Sequence, residues 1–307
     1  MNILVTGANG FVGTELCRTL TSLGHSVTGC VRNDANESLI VDKVFSADIN
    51  TPTNWGSALQ DCEVVVHLAA RAHLTKDVAT DPLLEFRRIN VDATLELANQ
   101  CLEAGVRRFI FVSSIGVNGA ETKKAPFRFS DPPDPHSPYA VSKYEAEVAL
   151  RKLCKTSMEL VIIRPPLVYG PGAPGNLGTI ERVMNKGFPM PFGAVKNRRT
   201  LIALENLIDL LVLCLDHRNA VSETLLASDG VDLSTSEIVA LVGKLAGEKA
   251  IQIRVPASWL EVFLNILGKQ SIRQSLLGDL RVDNSATQRL LDWEVPFNPR
   301  NFLQESD

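Results

Sequence analysis

A tyrosine and a lysine four positions apart, Tyr139 and Lys143, have the side chains for proton transfer. Ser137 and Pro138 stand just before Tyr139 and are typical of a helix start, so the pair is predicted to share one face of a helix. A neighbouring ammonium lowers the pKa of a phenol. We therefore expect Tyr139 to exchange a proton with a bound molecule near neutral pH. An ordinary surface pair is the alternative.

Two hydroxyls, Ser113 and Ser114, follow the apolar run 109–112, which is typical of a buried strand. In an open parallel sheet, ligands bind beyond the carboxyl ends of the strands. Ser114 is therefore predicted to face the same crevice as Tyr139 and to complete a catalytic set with Tyr139 and Lys143. The alternative is a pair of hydroxyls that satisfy backbone groups at the strand end.

Three glycines, Gly7, Gly10 and Gly13, lie between the first predicted strand and the first predicted helix. Small residues let the backbone approach a pyrophosphate, whose charge is stabilised at a helix N-terminus. The GxxGxxG spacing differs from the GxGxxG fingerprint, but its place at the first strand–helix junction predicts a dinucleotide-binding turn. The predicted cofactor-binding residues of this turn are Gly7, Asn9, Gly10, Phe11, Val12 and Gly13.

The end of the second predicted strand bears on the choice of cofactor. An acid there would bind the ribose 2′-hydroxyl of NAD, whereas an arginine would accommodate the 2′-phosphate of NADP. The sequence has Arg32 at this place, which favours NADP(H), while Asp34 keeps NAD(H) open. A solvated surface charge is the alternative for Arg32. Asp48 and Ile49, after the third predicted strand, are expected to hold the adenine.

The elements that must position these residues follow an α/β rhythm. Apolar runs predict strands at 3–5, 26–31, 44–46, 64–66, 109–112 and 160–163, and helical spacing predicts helices at 11–23, 83–104 and 139–153. Such runs indicate a parallel sheet covered on both faces, so the predicted fold class is α/β, a Rossmann-type doubly wound sheet. The predicted dinucleotide-binding domain comprises 1–165 and 194–228. A smaller, discontinuous α+β substrate domain comprises 166–193 and 229–307.

Composition excludes several classes of protein. The 307 residues are 45% hydrophobic, too many for a disordered chain, and their net charge of -4 leaves no basic surface for nucleic acid. Six cysteines are scattered singly with no CxxC pair, which predicts neither a metal site nor a disulfide framework and favours a reducing, cytoplasmic location. No stretch is predicted to span a membrane.

The apolar segment 259–267 has two interpretations. It is predicted to pack into the core of the smaller domain, because its polar face lacks the Lys and Arg of an interfacial helix. A partner-binding or membrane-surface helix is the alternative.

Further motifs follow in the chain: His67-Leu68-Ala69-Ala70, Asn90 and Arg164-Pro165-Pro166. Together with those above, they resemble in order the extended short-chain dehydrogenases/reductases, and more narrowly the NAD-dependent epimerase/dehydratase family that acts on nucleotide sugars. The resemblance covers residues 1 to about 215 and extends less closely to Asp283.

The resemblance implies a role for each matching residue. Tyr139 would be the acid/base, Lys143 would bind the nicotinamide ribose, and Ser114 would hydrogen-bond the reacting sugar oxygen. The cofactor cleft would also include Leu68, Ala69, Ala70, Asn90, Val112 and Pro166. A UDP-like substrate would be bound by Asn176, Phe192, Arg199 and Arg281, and the family implies a homodimer. Arg71, between His67 and His73, is the candidate for a substrate anion; the two histidines either contact substrate or form structural hydrogen bonds.

Departures from the family pattern bear on the reaction. Ile115 and Gly116 stand where the 4,6-dehydratases carry Asp-Glu, so elimination is not expected. Val31 and Leu167 stand where NAD-holding 4-epimerases carry an acid and an asparagine. The stretch from Gly193 to Asn206 resembles a bacterial subgroup of O-antigen and capsule synthesis.

That subgroup includes reductases of UDP-4-keto-6-deoxy-N-acetylhexosamines, which make UDP-QuiNAc or UDP-FucNAc. The expected reaction is therefore reduction at C4, with hydride from NAD(P)H and a proton from Tyr139. The alternative is a 4-epimerase of a UDP-hexose or UDP-N-acetylhexosamine with retained NAD. A non-catalytic cofactor sensor is the third hypothesis, and the complete set of Ser114, Tyr139 and Lys143 argues against it.

Overall fold

The computed structural model describes residues 1–32, 39–71, 81–155 and 157–305. Asp34 and His73, two residues considered above, lie outside them. Backbone contacts divide the chain into two compact units. Unit 1 comprises 1–118, 132–164 and 208–225, and unit 2 comprises 119–131, 165–207 and 226–307.

Strands and helices alternate over the first part of the chain. The strands are β1 Asn2–Thr6, β2 Ser26–Val31, β3 Lys43–Ser46, β4 Val64–His67, β5 Arg108–Val112, β6 Glu159–Arg164, β7 Val168–Tyr169, β8 Arg199–Thr200, β9 Ile202–Ala203, β10 Thr224–Leu226 and β11 Asp232–Leu233. The helices are α1 Phe11–Ser22, α2 Gly56–Leu59, α3 Pro82–Arg87, α4 Ala93–Glu103, α5 Pro138–Leu153, α6 Gly175–Met184, α7 Leu204–Leu213, α8 Thr235–Leu245, α9 Ala257–Ile266, α10 Gln270–Leu277, α11 Ser285–Leu291 and α12 Pro299–Gln304.

The main sheet has seven strands in the order β3-β2-β1-β4-β5-β6-β10, and β1 to β6 pair in parallel. This order confirms the predicted Rossmann-type fold, in which the strand order reverses between β1 and β4. Leu4 and Val65 pack with α4 and α5 in one core, and their neighbours Val5 and Val66 on the opposite face are also fully buried. Burial on both faces explains the continuous Val/Ile/Leu runs.

The predicted helix 83–104 contains a π turn, Arg88–Asp92, between α3 and α4. Its start is fixed by Asp81, whose side chain accepts a hydrogen bond from the Leu84 backbone N–H at 3.1 Å. The turn is buried at Ile89 and Asn90. π turns occur often at functional sites, and this one carries a predicted cofactor residue.

Residues 119–131, 165, 194–207 and 226–228 lie in unit 2, whereas the sequence assigned them to the dinucleotide-binding domain of 1–165 and 194–228. β8 pairs with β11 and β9 with β7, in two small sheets. The carboxylate of Asp229 accepts hydrogen bonds from the Ala203 backbone N–H, the Asn206 amide and the Tyr169 hydroxyl. These non-local pairings account for the different boundary. The seventh strand of the main sheet is β10, which was not predicted.

Helices dominate the rest of unit 2. α8 begins with a capping box, in which the Ser234 hydroxyl and the Glu237 carboxylate each accept a backbone N–H, and it packs against α6 and α12. α9 packs against α10, but none of the ten residues of α9 is buried. The prediction that 259–267 packs into a core is therefore wrong, because apolar spacing marks an apolar helix face without specifying what covers it.

All six cysteines are free thiols and all are buried. Within the described ranges, no three His, Cys, Asp or Glu side chains are grouped so as to hold a metal ion. Among the same residues, every helix is too short or too polar to cross a membrane.

Candidate active site

The β1–α1 turn of unit 1 lies against the segment that follows β4. Gly7 has a φ of +69°, and a Cβ there would stand 3.0 Å from the Ala69 backbone nitrogen. A Cβ on Gly13 would stand 2.1 Å from the carbonyl oxygen of Gly7, closer than any real contact. The Gly10 N–H donates to that same oxygen at 2.9 Å. Glycine is therefore required at Gly7 and Gly13, and the turn exposes backbone rather than side chains at the start of α1.

A cavity of about 390 Å³ opens beside this turn. Most of the residues that line it were predicted to bind the cofactor: Gly7, Asn9, Gly10, Arg32, Asp48, Ile49, Leu68, Ala69 and Ala70. Arg71 also lines the cavity but was predicted to bind substrate. The sequence missed Cys30, Val31, Ala47, Asn50 and Ile89. Cys30, Val31 and Ala47 lie at the carboxyl ends of β2 and β3. Because ligands bind at the carboxyl ends of parallel strands, this position could have identified them from the sequence. Phe11, Val12, Gly13, Asn90, Val112, Tyr139 and Lys143 belong to unit 1 but do not line the cavity, and Pro166 belongs to unit 2.

Asp48 and Asn50 form one rim of the cavity. Asp48 Oδ1 accepts hydrogen bonds from the backbone N–H and the side-chain amide of Asn50, at 3.0 and 2.5 Å. Asn50 Oδ1 is buried and has no hydrogen-bond partner among the described residues. A buried acceptor without a partner is costly, so this rim suits a ligand that donates a hydrogen bond.

Asn90 lies behind the lining and holds it in place. Its Oδ1 accepts from the Arg71 backbone N–H at 2.8 Å, and its Nδ2 donates to the Arg71 carbonyl and to Ser142 Oγ. The π turn thereby joins the segment after β4 to α5. The Arg71 guanidinium stands 5.6 Å from the Phe86 ring centroid, and that ring packs edge-on against Tyr139 at 6.1 Å.

His67 is enclosed by hydroxyls. One ring nitrogen lies 2.8 Å from Thr6 Oγ1 and the other 2.9 Å from Thr94 Oγ1. Burial, together with the nearby charge of Lys143, lowers the pKa of His67 to about 3. The imidazole is therefore neutral and structural, the second of the two roles considered for it.

The proton-transfer pair lies on α5 as predicted. Ser137 caps the helix by accepting the Ala140 N–H at 3.1 Å, with Pro138 in the first turn. Tyr139 is half-buried, and Lys143 is fully buried with its ammonium 4.1 Å from the Phe111 ring centroid. Tyr139 and Lys143 therefore lie one turn apart on the same face, near the start of α5.

The expected lowering of the phenol pKa is not found. Burial raises the pKa of Tyr139 to about 12. Burial also lowers the pKa of Lys143 to about 7, against the opposing charge of Glu147. Desolvation disfavours the charged form of both side chains.

A buried polar network fixes the strand ends next to this pair. Arg164 Nε and Nη2 donate to the Glu147 carboxylate at 2.9 and 2.5 Å, and Nη1 donates to Asn118 Oδ1 at 2.9 Å. The Ser113 hydroxyl donates to the same carboxylate. The network joins the ends of β5 and β6 to α5. The sequence offered one signal for Glu147, its place four residues after Lys143, and none for Asn118.

The network holds Ser114 beside the start of α5. Ser114 Oγ accepts the Gly116 N–H at 3.1 Å, in a 3₁₀ turn over Ile115–Val117. A Cβ on Gly116 would stand 3.3 Å from the Cβ of Ala140, the residue after Tyr139. Unit 1 thus brings together the three predicted catalytic residues.

The predicted substrate-binding residues other than Arg71 and Ser114 lie in unit 2. Arg199 Nη1 donates to the carbonyls of Gln274 and Gly278 at 3.2 and 2.9 Å, and burial lowers its pKa, against the opposing charges of Glu121 and Asp279. Asn176 donates to Ser275 of the same helix, α10, at 3.2 Å.

Arg281 lies near Arg199, because the adjacent Leu280 forms a bridge with Arg199. Its Nη2 donates to the Lys124 carbonyl at 2.8 Å, while its buried Nε has no hydrogen-bond partner among the described residues. Phe192 is buried in unit 2. Arg199 and Asn176 therefore both contact α10, at Gln274 and Ser275.

Comparison with known proteins decides the family. The NAD dependent epimerase/dehydratase family matches residues 3–226. The chain belongs to that family. One similar relative is a UDP-glucose 4-epimerase of Vibrio cholerae, 42% identical over 301 residues, which cover 96% of this chain and 91% of the relative. Another is the N-acetyl-alpha-D-glucosaminyl-diphospho-ditrans,octacis-undecaprenol 4-epimerase of Escherichia coli O157:H7, 29% identical over 272 residues, which cover 87% and 77%.

Solved structures agree with the family fold. MoeE5 in complex with UDP-glucuronic acid and NAD is 25% identical, with a TM-score of 0.78 over 99% of this chain and 96% of that one. The UDP-glucuronic acid 4-epimerase of Bacillus cereus in complex with NAD is 24% identical, with a TM-score of 0.77 over 99% and 96%. In this epimerase/dehydratase family member, buried Ile115 and half-buried Gly116 follow Ser114, and neither side chain can transfer a proton.

Proposed function

We propose that the protein interconverts the C4 epimers of a UDP-hexose, using a nicotinamide dinucleotide that stays bound in unit 1. The observation that carries the proposal is the placement of these residues in unit 1: Ser114 follows β5, and Tyr139 and Lys143 lie on α5, which packs on the sheet whose first strand leads into the glycine turn. The 42% identical UDP-glucose 4-epimerase supports this reaction over the C4 reduction expected from the sequence.

The residues of unit 1 fit the cofactor. Gly7 and Gly13 have no room for a side chain, so backbone N–H groups at the start of α1 are free to face a pyrophosphate. Asp48, Ile49 and the unpartnered Asn50 Oδ1 suit an adenosine group at the rim. Lys143 would hold the nicotinamide ribose. The bound nicotinamide supplies the hydride acceptor and donor for sugar carbon C4.

The proton chemistry falls to this chain's own side chains. Tyr139 would take the proton of the O4 hydroxyl as the C4 carbonyl forms, and would return it as the opposite epimer forms. The Ser114 hydroxyl would donate a hydrogen bond to that carbonyl oxygen. A phenol with a pKa near 12 is a poor base at neutral pH, so Tyr139 would act as a base only when a further positive charge, such as that of a bound oxidised nicotinamide, lowers its pKa.

The UDP moiety is proposed to bind residues of unit 2. Arg199 and Asn176 contact α10, Arg281 lies one residue from the Leu280 bridge to Arg199, and all three carry donors that suit a diphosphate. Phe192 would lie near the uracil. Arg71 is a further proposed donor. Six free thiols support a reducing compartment such as the cytoplasm. The homodimer stays a prediction.

One experiment separates the candidates. The protein is purified, its bound nucleotide is extracted and identified, and UDP-glucose is supplied without added cofactor. Retained NAD with formation of UDP-galactose is the expected result. Tyr139→Phe should abolish turnover and keep the nucleotide. A protein that converts no UDP-hexose or UDP-N-acetylhexosamine in either direction would contradict the proposal.

Arg32 supports the C4 reductase as a second candidate. It is exposed at the cavity lining, where an arginine can accommodate the 2′-phosphate of an exchanging NADPH. Stoichiometric oxidation of NADPH on addition of a UDP-4-keto-6-deoxy-N-acetylhexosamine would favour this reaction. Arg32→Ala should then lower the rate with NADPH more than the rate with NADH.

A further inference from the structure

Two buried polar atoms of unit 2, Glu121 Oε1 and Arg281 Nε, have no hydrogen-bond partner among the described residues. They lie on neighbouring segments of the chain, because the Arg281 backbone N–H donates to the hydroxyl of Thr122 at 3.1 Å. Leu280, the residue before Arg281, also forms a bridge with Arg199. One carboxylate and two guanidinium groups therefore stand on three adjacent segments of unit 2.

Gly278 links the carboxylate of Glu121 to Arg199. A Cβ on Gly278 would stand 2.6 Å from Glu121 Oε1, so the carboxylate occupies the space that a side chain there would take. The carbonyl oxygen of the same glycine accepts a hydrogen bond from Arg199 Nη1 at 2.9 Å. The charge of Glu121 opposes the lowering of the Arg199 pKa that burial causes. Because Glu121 Oε1 is shielded from water, its charge is screened less than a surface charge would be.

The charges of these segments favour an anion, with two exceptions. Segments 121–124, 198–200 and 270–281 contain six basic residues, Lys123, Lys124, Arg198, Arg199, Arg273 and Arg281, against two acidic ones, Glu121 and Asp279. The Asp279 carboxylate is engaged, because its Oδ1 accepts the Arg198 backbone N–H at 2.7 Å. Glu121 Oε1 is bonded to nothing among the described residues. A buried acceptor of this kind costs stability, so its charge calls for a role of its own.

We propose that Glu121 is a specificity-determining residue that limits the negative charge of the nucleotide bound beside Arg199. This role rests on the proposed function, in which Arg199 and Arg281 hold the diphosphate of a UDP-sugar. Free UDP carries one more negative charge than a UDP-sugar above the second pKa of its terminal phosphate, which is about 6. Coulomb repulsion grows with the charge of the ligand, so the carboxylate disfavours UDP more than UDP-glucose.

The binding of both nucleotides to the full chain tests this role. The dissociation constants of UDP and UDP-glucose are measured by calorimetry at a pH of about 8, where the terminal phosphate of UDP is ionised. Glu121→Gln removes the charge and keeps the shape of the side chain. We expect both nucleotides to bind the variant more tightly, with a gain about three- to tenfold larger for UDP. Comparing the ratio of the two constants between proteins cancels the contribution of the glucosyl group.

Three further variants separate charge from shape. Glu121→Asp keeps a carboxylate and should stay close to the wild-type ratio. Glu121→Ala removes both the charge and the side chain, and it should move the ratio in the same direction as Glu121→Gln. Glu261→Gln removes an exposed carboxylate of α9 and is the matched control, so it should leave the ratio unchanged. Urea unfolding of each variant checks that it is folded.

Several outcomes would overturn the role of Glu121. Equal changes for the two nucleotides in Glu121→Gln would do so, because a purely structural effect does not depend on ligand charge. Weaker binding of both would instead make Glu121 a hydrogen-bond acceptor for the nucleotide. The same shift in Glu261→Gln would reduce the effect to the net charge of the chain. Wild-type protein that binds neither nucleotide would overturn the proposed function as well, and turnover of UDP-glucose on the same preparations tests that function separately.

Discussion

The proposed catalytic face of α5 and the apolar face of α9 depart from ordinary burial in opposite directions. α5 places a lysine and a glutamate in the interior, where charged side chains are rare, and satisfies the glutamate with Arg164 and Ser113. α9 places tryptophan and phenylalanine in solvent. In both helices these side chains stand outside the environment that is usual for their type.

The comparison shows two ways in which a fold prepares a binding surface. In unit 1 the polar groups of Ser113, Glu147 and Arg164 are held in place by hydrogen bonds to one another. On α9 nothing among the described residues covers the apolar side chains, so the helix retains affinity for an apolar phase. Loss of a partner should therefore be costly on α5, while loss of an apolar group should be nearly neutral on α9.

The largest expected effect is on turnover. Tyr139→Phe removes the proton-transfer group, and kcat should fall about 100- to 10,000-fold, the usual contribution of general acid–base catalysis. The ring and its packing on Phe86 remain, so unfolding by urea should change little. Initial rates and a denaturation curve measure the two quantities. Unchanged turnover would remove Tyr139 from the mechanism.

Breaking the buried ion pair should have the largest effect on stability. Arg164→Met leaves Glu147 charged and unpaired in the interior, and the free energy of unfolding should fall by about 3–5 kcal/mol. Arg87→Met breaks a half-exposed pair between Arg87 of α3 and Glu145, which lies on α5 like Glu147. The free energy of unfolding should fall by at most about 1 kcal/mol. Urea titration compares them. Equal losses would contradict the contrast between buried and exposed pairs.

A smaller effect concerns the pH profile. Burial lowers the pKa of Lys143 to about 7 and the charge of Glu147 opposes that shift, so Glu147→Gln should lower this pKa further. Lys143 would then lose its proton at lower pH, and the alkaline fall of kcat should move to lower pH. Glu145→Gln, two residues earlier, is the control. A profile that moves upward or stays fixed would show that Glu147 does not act on Lys143.

The smallest effect is expected on α9. Val262→Ser replaces a valine that is 58% exposed, so the free energy of unfolding should change by no more than about 0.5 kcal/mol. Val65→Ser in fully buried β4 should be strongly destabilising by comparison. Urea unfolding of the two variants makes the test. A large loss for Val262→Ser would mean that the face contributes to a packed core.

The sequence predicted what depends on local pattern. Ser137 and Pro138 marked the start of α5, the glycines marked the turn after β1, and apolar runs marked six strands of the main sheet. Non-local pairing was out of reach: β10 joins β6 across 60 residues of chain, and β9 pairs with β7 rather than the main sheet. The phenol pKa was mispredicted because spacing reports a nearby lysine but not the burial that opposes it.

The buried cysteines can report local opening of the structure through their rate of alkylation. Burial raises the pKa of Cys30 to about 12 and of Cys62 to about 11, so in the closed structure neither thiol forms the reactive thiolate near neutral pH. Alkylation must wait for the chain to open locally. Cys101 and Cys30 belong to the same buried core, and Cys30 also lines the cavity beside the glycine turn. The labelling rate of Cys101 thus measures opening of the core, and protection of Cys30 measures occupancy of the dinucleotide site.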